Sequence, residues 1–269
     1  MIAFALQGGG SLSAAEVGML RALTEHGIVP DLVVGASAGA LNAVAFAANP
    51  TAAGIDQLDA IWRSMRRRHV APLSAWGLLA AVAGRSGGLV SNAPLRHFIQ
   101  TRLPVGALTE TAIPAYVVAT DLESGEPVVL SGGDAVSALL ASSAFPGLYP
   151  PVTIGGRLLI DGGVAADVPV LQAEALGATV TYVLPAAVDE APRPQAASPL
   201  FLAYRALGQI LDGIARRDTA AARGRVLTLP TVTSRAASPV DFRDTSRLIA
   251  AGYDATAQWL AAQTSAVAA

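Results

Sequence analysis

The apolar positions change their spacing several times along the first third of the chain. "IAFAL" (2–6) is a short continuous apolar run, the pattern of a strand buried on both faces. "SAAEVGMLRALTEHG" (13–27) places Val17, Leu20 and Leu23 on one helical face, and Gly27 supplies a stop. "DLVVG" (31–35) reads as a second strand, and "AGALNAVAFAANP" (38–50) as a buried helix closed by Asn-Pro. This βαβα order predicts a parallel sheet covered by helices, with right-handed crossovers. Helical patterns follow over 54–69 and 73–83. After the turn "RSGG" (85–88), Asn92 is placed to cap a helix running through Arg102.

The middle of the chain returns to strands. "PAYVVATDL" (114–122) and "PVVLS" (127–131) flank the turn "ESGE", and a helix over 134–143 leads into "SAFPGLYPPV". "VTIGGRLLIDGG" (152–163) reads as a hairpin on a Gly-Gly turn. A helix over 168–178, a buried strand over 179–185, and a proline-bearing loop over 186–199 come next. An amphipathic helix over 200–222, a strand over 225–230 and a last helix over 244–263 complete the pattern, which contains no internal repeat. The expected fold class is α/β: a three-layer α/β/α domain with a mostly parallel central sheet. It spans 1–269 as one domain, with a helical insertion over 54–102 and C-terminal helices over 200–263.

Composition narrows the function classes. The 269 residues are 52% hydrophobic and 14% charged, ample for a large core. No apolar run approaches the roughly 18 residues of a membrane-spanning helix; "AWGLLAAVAG" (75–84) is too short. The opening "MIAFALQGGG" has no basic n-region and runs straight into glycines, so it reads as a first core strand instead of a signal peptide, and a cytoplasmic protein is expected. With no cysteine, thiol catalysis, disulfides and cysteine-ligated metals are excluded. A net charge of -2 argues against nucleic acid as a partner. His26, His69 and His97 have no metal-ligand spacing, and no cofactor or metal is expected.

Three short stretches can carry chemistry. In G-A-S-A-G (35–39), Ser37 lies between a strand and a helix, where a sharp turn can expose a serine as a nucleophile; the alternative is a tight turn with a helix-capping serine. "QGGGS" (7–11) follows the first strand. Its N–H groups suit an anion, as an oxyanion hole, a phosphate loop or simply a packing turn. The chain contains no lysine, which removes the Walker pattern, and Ser13 stands where a dinucleotide fingerprint needs its third glycine. "LLIDGG" ends a buried strand with Asp161; its alternative is a surface Asp-Gly turn. A serine nucleophile needs a base. No histidine follows His97, so the hydrolase order of serine, acid, histidine cannot be completed. A carboxylate whose site raises its proton affinity can take that role, and Asp161 is assigned to it as the partner of Ser37 in a dyad.

In this combination the sequence resembles the patatin-like phospholipases over most of its length. That family orders a glycine-rich loop, a G-x-S-x-G serine and a D-G-G/A aspartate in the same way. "ATDLESGE" (119–126), "ASSAFPGLYPPV" (141–152), "DGGVAADVPV" (161–170) and "LIAAGYDA" (248–255) extend the likeness. The resemblance implies Gly8, Gly9 and Gly10 as oxyanion donors, Ser37 as nucleophile and Asp161 as base. It also implies a lipid ester as substrate, with peripheral contact to a membrane. Acyl transfer, small-ester hydrolysis and non-catalytic lipid binding are the alternatives, and oligomeric state is left open. Two positions depart from the family. Leu12 and Ser13 stand where a basic residue and a glycine are usual, and Asp167 stands where asparagine is usual, adding a carboxylate that raises a pKa if it lies near Asp161. "WRSMRRRH" (62–69) reads as a solvated helix face or a headgroup contact, and "PLSAWGLLAAVAG" (72–84), with Trp76, as an interfacial or a buried helix.

Overall fold

The computed structural model describes residues 1–72, 87–189, 199–235 and 238–268. Its central sheet is built on strands β1 (Ile2–Leu6), β2 (Leu32–Ala36), β3 (Ala115–Asp121), β4 (Pro127–Leu130), β5 (Val152–Ile154), β6 (Arg157–Asp161), β7 (Val180–Leu184) and, after the short β8 (Val188–Asp189), β9 (Arg225–Thr228). The order is β5-β6-β3-β2-β1-β7-β9, with β4 also paired to β3. The strands β3, β2, β1, β7 and β9 run parallel, and the β3–β4, β3–β6 and β5–β6 pairs are antiparallel.

The helices are α1 (Ala15–Glu25), α2 (Ala38–Ala48), α3 (Ala52–Ser64), α4 (Arg67–Val70), α5 (Ala93–Arg102), α6 (Ala135–Ser142), α7 (Gly163–Ala166), α8 (Val170–Ala175), α9 (Pro199–Ala221) and α10 (Thr245–Ala268). Successive strand residues point to opposite faces of a sheet, and here they enter two cores. Phe4, Leu6, Val33 and Val117 pack with α1, α2 and α10. Ala3, Ala5, Leu32, Val34 and Val118 pack with α8 and with Ala215 of α9. Helices thus cover both faces, giving the three-layer α/β/α arrangement.

One feature of the register positions the site. β2 pairs with Ala115–Val118 of β3, β4 with Val117–Thr120, and β6 with Ala119–Asp121. A strand has two edges, and β4 overlaps both of the others. β2 and β6 therefore share the opposite edge, one after the other, with Ala36 opposite Val118 and Asp161 opposite Ala119.

Several elements differ from the sequence reading. The helix expected over 54–69 divides into α3 and α4, because Met65 and Arg66 adopt extended backbone. The Arg66 guanidinium donates to the Arg63 and Met65 carbonyls, satisfying the end of α3. At α5 the Asn92 side chain makes no cap; Ser91 Oγ accepts the Ala93 N–H at 3.2 Å instead. The helix expected over 168–178 is only Val170–Ala175. A parallel pair of β8 with β10 (Thr233–Ser234) occupies two stretches too short to show a period. The helix expected over 73–83, Trp76, and most of the proline-bearing loop (190–198) lie outside the described residues.

Candidate active site

Ser37 sits on the turn between β2 and α2 with φ 52° and ψ -124°, the sole positive φ of a non-glycine residue among the described residues. Backbone in that region costs on the order of 1–3 kcal/mol and persists only when its surroundings enforce it. Two hydrogen bonds and two close backbone approaches do so. The Ser37 N–H donates to Ser142 Oγ at 2.8 Å, and Ser142 Oγ in turn donates to the Val118 carbonyl at 2.5 Å. A methyl group on Gly35 would lie 2.5 Å from the Gly39 carbonyl oxygen. One on Gly39 would lie 2.5 Å from the carbonyls of Leu6 and Gln7. The two glycines of G-A-S-A-G therefore let α2 start directly against β1 and β2.

The Ser37 side chain caps no helix N–H. Its Oγ donates to Asp161 Oδ2 at 2.7 Å. Asp161 is the last residue of β6 and is 4% exposed. Its other oxygen, Oδ1, accepts the Gly163 N–H at 2.8 Å, and its main-chain carbonyl accepts Thr120 Oγ1 at 2.8 Å. Burial raises its pKa to about 6, against the smaller opposing pull of the Ser37 and Gly163 hydrogen bonds. A carboxylate with that proton affinity accepts a hydroxyl proton far more readily than an exposed aspartate.

The glycine loop lies beside this pair. A methyl on Gly8 would stand 3.3 Å from Ser37 Cβ. The three glycines are not equivalent. The Gly8 N–H donates to the Asp167 carbonyl at 3.2 Å and is committed to structure. The N–H groups of Gly9 and Gly10 have no acceptor among the described residues, and both residues are half-buried. Gly9 precedes a 3-10 segment, Gly10–Ala14, that runs into α1, and Gly10 has φ 58°. Leu12, in place of a basic residue, packs against the core and accepts the Ala187 N–H on its carbonyl at 3.2 Å.

Asp167 is 9% exposed and also borders the dyad. Its Oδ2 accepts Gln7 Nε2 at 2.8 Å, and Gln7 Oε1 accepts the Ala186 N–H at 3.1 Å. Burial is the main cause that raises its pKa to about 7; the Gln7 hydrogen bond opposes this, and the charges of Asp161 and Asp212 add to it. Behind the loop, Glu16 is fully buried. Asn42 Nδ2 donates to Glu16 Oε2 and to the Ser13 carbonyl, each at 2.9 Å, and Trp62 Nε1 donates to Asn42 Oδ1 at 2.6 Å. Burial pushes the Glu16 carboxyl well above the usual range.

None of the histidines bonds to the dyad. His26 Nδ1 contacts the Ala22 carbonyl, His69 stacks on Phe98, and His97 is exposed. The arginine run divides as well: Arg63 pairs with Asp59 while Arg67 and Arg68 face solvent. Two surface depressions, of about 250 and 340 Å³, are lined by residues such as Leu108 and Pro114, and Gln100 and Pro104. Neither includes Ser37 or Asp161, so the candidate site is placed by the hydrogen-bonded Ser37–Asp161 pair. The sequence does not point to Ser142 or Gln7, since a small hydroxyl in a helix and an amide before the glycines carry no pattern of their own. No helix among the described residues is long and apolar enough to cross a membrane.

An α/β domain with a strained strand-to-helix serine, a buried aspartate and a glycine loop is the class of protein these features define. The patatin-like phospholipase family model matches residues 4–174, and the chain belongs to that family. It is 32% identical over 174 residues to an NTE family protein of Mycobacterium tuberculosis, covering 61% of this chain and 26% of that protein. A patatin-like phospholipase domain-containing protein of Caenorhabditis elegans is 30% identical over 179 residues, 66% of this chain and 13% of the relative. The chain thus spans about a quarter or less of the length of these two relatives. Among solved structures, VipD from Legionella pneumophila shares the fold with a TM-score of 0.51 at 17% identity, over 97% of this chain and 66% of that one.

Proposed function

We propose that the chain is a serine acyl hydrolase of lipid esters that works through the Ser37–Asp161 dyad. The observation that carries this reading is the 2.7 Å hydrogen bond from Ser37 Oγ to a buried carboxylate, on a backbone that only a strained turn provides. Asp161 Oδ2 takes the Ser37 proton as Oγ attacks the acyl carbon. Negative charge then develops on the former carbonyl oxygen. The free N–H groups of Gly9 and Gly10 are the donors assigned to it, with Gly8 holding the loop in place. Collapse breaks the ester bond, the leaving alcohol takes the proton from Asp161, and an acyl-serine remains. Water then gives a proton to Asp161 and attacks the acyl carbon. The fatty acid leaves and Ser37 regains its proton. Membership in the patatin-like phospholipase family supports a phospholipid or related lipid as substrate, with peripheral contact to a membrane surface.

The test is intact mass after treatment with a fluorophosphonate, followed by peptide mapping. A single adduct on Ser37, absent in Ser37→Ala and strongly reduced in Asp161→Asn, is the expected result. Well-folded protein with no adduct would refute the dyad. Product analysis with a phospholipid panel, with and without an added alcohol, then separates hydrolysis from acyl transfer.

A further inference from the structure

Asp167 occupies space that two glycines leave open. A methyl on Gly8 would stand 2.6 Å from Asp167 Oδ1, and one on Gly163 would stand 2.9 Å from the same oxygen and 3.1 Å from Asp161 Oδ1. Neither glycine has a positive φ. Their missing side chains serve to admit the Asp167 carboxyl between the oxyanion loop and the catalytic aspartate. The main-chain carbonyl of Asp167 holds the Gly8 N–H, and its Oδ2 holds Gln7, the residue before the glycines. Oδ1 accepts no hydrogen bond among the described residues.

Among the described residues, the charged groups acting on this carboxyl are all acidic: Asp161 at the end of β6, Asp212 in α9 and Glu16 in α1. None of the ion pairs among the described residues involves Asp167 or Asp161. Two buried carboxyls that flank one glycine with no cation between them cannot easily both be ionised.

We propose that Asp167 is a positioning residue that must be protonated for turnover, so that the site works only while the Asp161–Asp167 pair carries a single proton. This rests on the dyad reading. With two protons on the pair, Asp161 cannot accept from Ser37. With none, a negative Asp167 lies against the loop that must stabilise an oxyanion, and it opposes the charge that develops there. Such a pair titrates as a unit, and its two apparent pKa values bound a bell-shaped profile. Burial raises the Asp161 pKa to about 6 and the Asp167 pKa to about 7, an order that fits Asp167 as the holder of the retained proton.

The test is the rate of Ser37 labelling by a small fluorophosphonate as a function of pH, in the wild type and Asp167→Asn. The wild-type rate is expected to fall about tenfold per pH unit on both sides of its optimum. Asparagine is neutral at every pH and keeps the shape. Asp167→Asn should therefore lose the alkaline limb and keep the acid limb, because Asp167 is already neutral there in the wild type. A variant profile with both wild-type limbs unchanged would overturn the proposal while leaving the dyad intact. Absence of labelling at every pH in both proteins would overturn the dyad, and this inference with it. Should Asp167→Asn fail to fold, Gln7→Met provides the second reading. Removing the hydrogen bond that favours ionised Asp167 should shift the alkaline limb upward, and an unmoved limb would refute the assignment.

Discussion

Ser37 and Asp161 meet because the strands that deliver them end head to head on the same edge of β3, Ala36 opposite Val118 and Asp161 opposite Ala119. One strand arrives parallel to β3 and the other antiparallel, so their C-terminal ends converge. The Ser142 hydroxyl is fixed at that junction, accepting the Ser37 N–H and donating to the Val118 carbonyl. Residues 124 positions apart are thus held to hydrogen-bond distance by a sheet edge.

Ser142→Ala removes both bonds at that junction. It leaves a buried carbonyl and the N–H of a strained residue unpaired, which costs about 1–3 kcal/mol for each group left without water. The expected outcome is a folded protein with a lowered thermal midpoint and slower Ser37 labelling by a fluorophosphonate. Ser142→Thr should recover most of the labelling rate if the hydroxyl keeps its position. Labelling at the wild-type rate in Ser142→Ala would show that the Ser37 turn holds itself.

Gly35 and Gly39 make a second, stronger constraint. Each would drive a methyl to 2.5 Å from a backbone carbonyl oxygen, and backbone cannot swing aside as a side-chain tip can. Overpacking of this kind costs typically 1–3 kcal/mol, occasionally more. Gly39→Ala should therefore lower the urea midpoint and displace α2 from β1, weakening the Ser37–Asp161 contact. Gly125→Ala is the contrast: nothing lies near its methyl, and its cost should come from a φ of 74° alone. Equal stability of Gly39→Ala and wild type, measured by urea unfolding, would refute the packing argument.

Much of this site is legible in the sequence because its parts are local. A strand pattern before G-A-S-A-G and a helix pattern after it place Ser37 on a turn, and the absence of any histidine after His97 turns attention to a carboxylate, Asp161, which the fold brings to hydrogen-bond distance of Ser37. The hairpin on Gly155 and Gly156, both with positive φ, is local as well. What was not legible depends on pairing at long range. Nothing near Gly8 indicates that its N–H is taken by a carbonyl 159 residues later, or that Ser142 reaches Ser37. The split of α3 from α4 was hidden for a different reason: Arg66 continues the polar face of a helix in pattern, yet its side chain terminates the helix by bonding its carbonyls.

The Glu16–Asn42–Trp62 network links α1, α2 and α3 behind the glycine loop. Asn42 uses both side-chain polar atoms, with Nδ2 shared between Glu16 and the Ser13 carbonyl. Asn42→Leu would strand the Trp62 indole N–H and the Glu16 carboxyl in the core. A loss on the order of 3 kcal/mol is expected from leaving such groups unpaired. Trp62→Phe, which removes one donor and keeps the apolar volume, should cost less. Chemical denaturation of the two variants checks the order, and the reverse order would refute it.

The pH dependence of stability follows from the same buried acids. Asp161 and Asp167 have folded pKa values raised to about 6 and about 7 from 3.8, and Glu16 is raised well above 4.5. The folded state therefore keeps protons that the unfolded chain releases. The contribution of these groups is fully present below their unfolded pKa values and is lost as pH rises through the folded ones. For Asp161 alone the loss is about 3 kcal/mol at 1.36 kcal/mol per unit. Asp244 acts in the opposite direction. Its hydrogen bond with Arg247 is the main cause that lowers its pKa to about 2, so its contribution is present above 3.8 and lost below. The two windows meet near the ordinary carboxylate value, which places the stability maximum on the acid side, at about pH 4. Thermal melts should then give a higher midpoint at pH 5 than at pH 8. Asp161→Asn and Asp167→Asn should each flatten the decline, since neither amide has a proton to lose. A midpoint that rises from pH 5 to pH 8 in the wild type would mean that these carboxyls ionise in the folded protein as easily as in the unfolded chain, and the buried, proton-holding pair would have to be abandoned.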